Sequence, residues 1–301
     1  MRPSSRRVFA IALLLILSTG ADAAPVVLAT IKPVHSLVAA VMAGVGEPEL
    51  LIQGAQSEHS YALKPSDAEK IGRAAVIFEI GPDLETYLTR PLATLAHGRV
   101  VALEYEQGVL KLAARKGGLW DDDKGDDALT DPHLWLAPAN AMAMTEAIVQ
   151  ALSKADPDHA ALYAANGRKQ FPVLMALDRY LRASLAPLKD RPYLVFHDAY
   201  QYFERAYGLA SAGAVTVAPD RPVGPRRVSA LRDAIRTRGI VCVFREPQFA
   251  PALAQTLVED SPARIGVLDP LGAELKPGPL LYPTLLKNLA ASLRDCLGKN
   301  R

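Results

Sequence analysis

Short runs of apolar and β-branched residues alternate along this chain with stretches in which apolar residues recur at helical spacing. The short runs predict strands and the intervening stretches predict helices. Strands that alternate with helices are typical of parallel sheets with helices packed against their faces. We therefore predict an α/β fold with mainly parallel sheets. The predicted strands are residues 26–31, 75–80, 99–103, 193–196, 214–217, 240–244 and 264–268.

A longer helical pattern divides these strands into two groups. Over residues 156–188 the apolar positions recur at helical spacing, and a helix of that length spans a whole domain face. Pro172 lies inside it and is expected to kink it. We predict an N-terminal lobe at 24–155 and a C-terminal lobe at 189–301, joined by this long, rigid linker helix. A plain surface helix is the alternative.

The start of one helix is predicted from its capping residues. Pro65 favours the first helical turn, Ser66 is a typical N-cap, and Glu69 occupies the capping-box position.

Residues 111–130 differ from the rest of the chain. They include five Asp and several Gly, contain no His, and show no periodicity. This composition predicts a solvated surface loop. The alternating acids and final Glu of an EF-hand calcium loop are missing.

The first 23 residues have the pattern of a secretory signal peptide. Arg2, Arg6 and Arg7 precede a ten-residue apolar core at 8–17, and Ala21 and Ala23 form a small-x-small cleavage site. The apolar core is too short to span a membrane. We predict an exported, periplasmic protein that is cleaved near Ala23. Both the general secretory route and the twin-arginine route remain open.

The charge balance argues against a nucleic-acid partner. Residues 1–23 contain three basic residues and one acid, so the remaining chain has equal numbers of basic and acidic residues. Nucleic-acid binding needs a clustered basic excess, which this chain lacks.

The chain has two cysteines, Cys242 and Cys296. In an exported protein an even number of cysteines favours a disulfide, and a metal site would need more closely spaced pairs. Two buried free thiols are the second alternative.

Four of the six histidines lie at the ends or starts of predicted strands: His35, His59, His133 and His197. Two acids, Glu246 and Asp269, follow strands in the same way. Ligands of parallel sheets bind beyond the carboxyl ends of the strands, so these side chains can converge between the two lobes. Imidazoles with a carboxylate suit Zn²⁺. Their wide separation in sequence does not by itself establish a common site. His97 and His159 are interpreted as surface residues.

Five sequences in order carry a family resemblance: EHSYALKPSD (58–67), DPHLWL (131–136), FHDAYQYF (196–203), FREPQF (244–249) and LDPLG (268–272). Together they resemble the metal-specific solute-binding proteins of ABC importers, in particular the periplasmic zinc-binding branch. The resemblance covers essentially the whole chain after residue 23.

The resemblance implies a two-lobed fold with a metal held in the interlobe cleft. By position it implies that His59, His133 and His197 are ligands of a transported Zn²⁺. Asp269 matches the carboxylate ligand of manganese-type relatives, and Glu58 matches the acid beside the first histidine. Either one is a candidate for the fourth ligand or for a group next to the ligands. The cysteine pair also matches the zinc branch.

The resemblance further implies a monomer that delivers zinc to an inner-membrane permease and has no enzymatic activity. The third ligand position holds His197, where manganese-type relatives have an acid, and imidazole-rich sites favour Zn²⁺ over Mn²⁺. A manganese- or iron-type protein of the same family is the alternative. A secreted zinc hydrolase is the more distant one, because no HExxH or GxSxG motif is present. The long His-rich loop of many zinc-type relatives is also missing, so an accessory metal site is not expected.

Overall fold

The computed structural model describes residues 24–120, 130–217, 219 and 221–298. The predicted signal peptide and residues 121–129 of the predicted acidic loop lie outside this part. None of the helices in the described part is both long enough and apolar enough to cross a membrane.

Two four-stranded sheets form the framework of the fold. The strands are β1 (Val27–Ala29), β2 (Glu49–Leu50), β3 (Val76–Glu79), β4 (Arg99–Ala102), β5 (Leu112–Ala113), β6 (Thr130–Asp131), β7 (Tyr193–His197), β8 (Gly213–Thr216), β9 (Cys242–Arg245) and β10 (Arg264–Val267). The N-terminal sheet has the order β2-β1-β3-β4 and the C-terminal sheet the order β10-β9-β7-β8. All strand pairs within these two sheets are parallel. The predicted α/β fold is therefore confirmed.

Helices cover both sheets. They are α1 (Lys32–Val41), α2 (Pro65–Arg73), α3 (Thr89–Leu95), α4 (Pro138–Ala155), α5 (Ala160–Leu185), α6 (Gln201–Tyr207), α7 (Pro225–Thr237), α8 (Ala252–Val258) and α9 (Leu281–Leu297). The predicted cap of α2 was wrong. Its N-cap is Lys64, whose backbone N–H donates to the Asp67 carboxylate at 2.9 Å. Pro65 is preorganised for the first helical position, so the helix begins before Ser66.

The long helix expected at 156–188 is present. α5 has 26 residues, and short 3₁₀ turns at Pro157–His159 and Ala186–Leu188 extend it at both ends. Pro172 lies within it. One face of α5 is buried, with Leu177 and Leu181 at 3% and 0% exposure, and the helix packs against α1, α4 and α9.

A single hydrophobic cluster runs from one sheet to the other through these helices. It contains Val27 and Phe78 of the N-terminal sheet, Leu181 of α5, and Tyr193 and Phe244 of the C-terminal sheet. Separating the sheets would expose this apolar surface at a cost of about 25 cal/mol per Å². The packing therefore resists a wide opening of the two halves.

The flanks of the predicted acidic loop differ from the expectation of a solvated loop. β5 and β6 pair antiparallel on either side of it, with Leu112 opposite Asp131. Leu119 is buried within a second hydrophobic cluster, which belongs to the C-terminal sheet. Leu119 packs against residues that are distant in sequence, and such contacts cannot be predicted from the hydrophobic periodicity of the segment itself.

The two cysteines form a disulfide that joins β9 to α9. The two cysteines are 54 positions apart in the sequence. The predicted pairing is confirmed.

We expect reduction of this disulfide to lower the free energy of unfolding by about 4 kcal/mol, because the unfolded chain regains the entropy of an unclosed loop. Chemical denaturation with and without a phosphine reductant measures this difference. The Cys242→Ala/Cys296→Ala variant is the control, and its stability should not respond to the reductant. An equal response of both proteins would contradict the prediction.

Candidate metal centre

Four side chains converge at one point between the two sheets. They are Glu58, His59, His133 and His197, and one potential ligand atom from each lies within 4.8 Å of all the others. Glu58, His133 and His197 are buried, and His59 is partly exposed. Three imidazole nitrogens and one carboxylate oxygen form a donor set suited to a divalent transition metal.

Each of these residues lies in a loop or at the end of a strand. Glu58 and His59 belong to the loop between β2 and α2, and His133 follows β6. His197 is the last residue of β7, a central strand of the C-terminal sheet. The site thus lies beyond the carboxyl end of a parallel strand, which is the usual place for a ligand in such sheets.

The three imidazoles face one another through their Nε2 atoms. The Nε2 of His133 lies 3.1 Å from the Nε2 of His59 and 3.1 Å from the Nε2 of His197. The ring centroids are 5.0 to 5.3 Å apart. At this spacing the three Nε2 atoms are close enough to bind one shared cation through their lone pairs.

Two buried carboxylates orient two of these rings. The Nδ1 of His133 donates to Asp131 Oδ1 at 2.8 Å, and the Nδ1 of His197 donates to Glu246 Oε2 at 2.7 Å. The hydroxyl of Tyr200 also donates to Glu246, at 3.1 Å. A carboxylate on Nδ1 fixes the proton there and leaves Nε2 free to bind a metal.

Burial and charge determine how the metal-free site is protonated. Burial, with the neighbouring imidazoles, holds the pKa of His59 and that of His133 well below the usual range. Burial also acts to lower the pKa of His197, but the Glu246 carboxylate outweighs this and raises it to about 9. Burial raises the pKa of Glu58 to about 7. At neutral pH the metal-free site therefore carries protons where a cation would bind.

Glu58 has an unusual environment for a carboxyl group. It is 1% exposed, and its Oε1 has no hydrogen-bond partner in the described part of the chain. That oxygen lies 4.0 Å from His59 Nε2. A buried acceptor without a partner is costly, and a bound cation would remove that cost.

Asp269, the other acid named from the sequence, is not a member of this group. Its Oδ1 accepts hydrogen bonds from the backbone N–H of Leu271 and Gly272 and from the side chain of Gln248, at 2.9 to 3.1 Å. Its Oδ2 accepts one from the N–H of Ala273 at 2.6 Å. These contacts occupy the carboxylate within its own turn.

The N-terminal half of the chain contacts the turn that contains Asp269. The buried ammonium of Lys32 donates to the carbonyl of Gly272 at 3.0 Å. The indole of Trp135 donates to the carbonyl of Pro270 at 2.8 Å. Burial lowers the pKa of Lys32, and Asp269 opposes that shift.

The remaining histidines lie apart from the group of four. His35 is buried, and its Nε2 contacts the carbonyl of Pro48 at 3.0 Å. His97 is exposed, and His159 is hydrogen bonded to Asp156. Sequence reasoning did not identify Asp131 as the group that orients His133, although its position two residues earlier was a usable signal.

Comparisons with known proteins point to a family of zinc-uptake proteins. The family model described as "ZnuA: Zinc-uptake complex component A periplasmic" matches residues 27–296. The "High-affinity zinc uptake system protein ZnuA" of Brucella suis is 46% identical over 306 residues, covering 91% of this chain and 92% of the relative. The protein of the same name from Paracoccus denitrificans is 35% identical with the same coverage.

Solved structures support the fold. "Crystal structure of ZnuA" superimposes with a TM-score of 0.78 at 23% identity and covers 91% of this chain and 99% of that one. The structure titled as the periplasmic zinc binding protein TroA from Treponema pallidum gives the same TM-score at 22% identity, with the same coverage. At these identities the likeness concerns the architecture alone.

In metal-free protein we expect the ring of His197 to remain protonated until about pH 9, because Glu246 stabilises its positive charge. The rings of His59 and His133 should be neutral at pH 6.5. Nitrogen-detected NMR of the imidazoles measures both. Glu246→Gln removes the stabilising charge and should lower the pKa of His197. Glu259→Gln, at an exposed carboxylate, is the matched control. An unchanged His197 titration in Glu246→Gln would contradict the assignment.

Proposed function

The chain belongs to the family of periplasmic zinc-uptake complex components, and we propose that it captures Zn²⁺ in the periplasm and delivers it to the permease of an ABC importer. The observation that carries the proposal is the convergence of three imidazoles with the buried carboxylate of Glu58, whose Oε1 has no hydrogen-bond partner among the described residues. In this function zinc is the cargo. The chain would act as an exported monomer after removal of residues 1–23.

The four ligands we propose are His59, His133, His197 and Glu58. They are the residues whose donor atoms converge, and Glu58 supplies a negative charge that partly neutralises the ion. Asp269 is the weaker candidate because its oxygens already accept four hydrogen bonds. Three nitrogens and one oxygen favour Zn²⁺, whereas Mn²⁺ favours sites richer in carboxylates.

The donor set supports transport rather than hydrolysis. A catalytic zinc keeps one position open for water and needs a general base beside it. With Glu58 as the fourth ligand, all four coordination positions of a tetrahedral zinc are taken by protein side chains, and none is left for water. Asp131 and Glu246 are engaged with the Nδ1 atoms of two ligand rings and so are not free to act as bases.

Capture exchanges protons for zinc. The ion needs the Nε2 lone pair of His197 and an ionised Glu58, so binding at neutral pH displaces protons from both groups. Affinity therefore rises with pH up to about 9 and falls in acid. The side chain of His59 is 19% exposed, whereas that of Glu58 is 2% exposed. We propose that the ion enters and leaves on the His59 side.

We expect Ala at His59, His133 or His197 to weaken zinc binding by more than about 100-fold, since each change removes a ligand rather than the hydrogen-bond partner of one. Competition against a chromophoric chelator measures the affinity, and wild type should bind one equivalent. His97→Ala, His159→Ala and His35→Ala are the controls and should match wild type. A loss in His35→Ala equal to that in His133→Ala would mean that the triad is wrong.

We also expect zinc to stabilise the chain without compacting it. The proposed lobes, 24–155 and 189–301, are joined by the helix at 156–188 and share one hydrophobic cluster. A thousandfold excess of zinc over Kd adds about 4 kcal/mol to the unfolding free energy. The radius of gyration from small-angle scattering should hardly change. A compaction like that of a hinged sugar-binding protein would contradict the rigid linker.

A further inference from the structure

A segment of the N-terminal half crosses to the C-terminal sheet beside the metal centre. We call residues 112–120 the strap. Its first residues form β5, which pairs with β6, the strand that leads to His133. At its other end Leu119 is buried in the hydrophobic cluster of the C-terminal sheet. The fit is close, because a Cβ on Gly213 would overlap the side chain of Leu119.

Arg115 lies in the middle of the strap and contacts two carboxylates of the C-terminal half. Its Nε donates to the two oxygens of Asp198 at 2.9 and 3.1 Å. Its Nη1 donates to Glu204 Oε2 at 2.6 Å. The guanidinium lies 3.5 Å from the ring centroid of Trp120, and the side chain is 17% exposed. Arg115 is therefore held on one face by an aromatic ring and at its edges by two acids.

Both acids belong to the segment that carries a ligand of the metal centre. Asp198 is the residue after His197, and Glu204 is in α6, which begins three residues later. Glu204 also accepts a hydrogen bond from the hydroxyl of Tyr193 at 2.8 Å, which ties it to the first residue of β7. The contacts of Arg115 thus reach the strand that ends in His197.

A tyrosine strengthens the same connection. The hydroxyl of Tyr202 in α6 accepts a hydrogen bond from the N–H of Leu112 at 2.9 Å and donates to the carbonyl of Asp131 at 2.7 Å. The strap, the strand leading to His133 and the helix following His197 therefore meet around Arg115 and Tyr202.

The distance between His133 and His197 needs such a connection. β6, which leads to His133, pairs with β5, whereas β7, which ends in His197, belongs to the C-terminal sheet, so in the described part of the chain no sheet hydrogen bonds join β6 to β7. Yet a zinc site requires its ligand distances to be correct to within about 0.2 Å. Contacts outside the sheets, those of Arg115 and Tyr202 among them, therefore contribute to this geometry.

We propose that Arg115 is a positioning residue for zinc, whose guanidinium clamps Asp198 and Glu204 and so fixes the β5–β6 pair, which leads to His133, at the distance from His197 that one Zn²⁺ requires. This inference rests on the proposed function. It adds to that function a residue that touches no ligand atom of the metal. The planar fork of an arginine can bind both acids at once, whereas a lysine ammonium cannot reproduce that geometry.

The test compares Arg115→Met and Arg115→Lys with wild type. Zinc affinity is measured by chelator competition, and ligand geometry by the visible absorption of the Co²⁺-substituted protein. Arg115→Met should bind zinc about 10- to 100-fold more weakly and show altered cobalt bands. Arg115→Lys should recover only part of the affinity. Arg236→Met is the matched control, because Arg236 contacts Asp233 on the exposed face of α7, away from the metal centre, and it should match wild type.

A purely structural role would lower the melting temperature of the metal-free protein but leave the affinity and the cobalt spectrum of the folded variant unchanged. That result would overturn the proposal. If Arg115→Met does not fold, the variant Arg115→Met/Asp198→Asn/Glu204→Gln removes the unpaired buried charges, and it should still bind zinc weakly. Wild-type affinity in that variant would also overturn the proposal. If wild type itself does not bind zinc tightly, the proposed function fails first.

Discussion

The centre depends on hydrogen bonds between two buried carboxylates and the outer nitrogens of two histidines. Asp131 and Glu246 hold the Nδ1 protons of His133 and His197 and so aim both Nε2 lone pairs inward. Each carboxylate loses hydration on burial, and its hydrogen bonds must compensate for that loss. Nearby positive charge also compensates for the loss: the protonated ring of His197 lies beside Glu246 in the metal-free state, Arg115 acts on Asp131, and the ion adds its charge after capture.

The same constraint explains why the framework around the centre is stiff. An imidazole aimed by a carboxylate binds a metal well only if the strand beneath it stays in place. The hydrophobic cluster that continues from Val27 through Leu181 to Phe244 fixes the two sheets relative to each other. The ammonium of Lys32 also hydrogen bonds the start of α1 to the turn that follows β10. Ligand exchange can then involve the loop of Glu58 and His59 while the sheets remain fixed.

The sequence was sufficient for the parts of this molecule that follow local rules. Alternating patterns predicted the parallel sheets and helical spacing predicted α5. Strand-end placement selected four histidines, from which the family resemblance singled out His59, His133 and His197. It could not distinguish Glu58 from Asp269, because the family resemblance offers both acids as candidates for the fourth ligand. The difference lies in backbone amides that occupy Asp269 and are absent from Glu58 Oε1, a property of tertiary geometry. Arg115 gave no signal at all, because its partners are more than 80 residues away.

The four proposed ligands thus differ in what holds them. His133 and His197 are each oriented by a carboxylate and belong to segments linked around Arg115 and Tyr202. Glu58 and His59 lie in a loop, and Glu58 Oε1 has no other partner. A site built this way has a fixed half, which sets the geometry for zinc, and a half whose contacts depend on the ion itself. In the proposed function, release would therefore involve the loop of Glu58 and His59, and protons returning to Glu58 and His197 would compete with the ion.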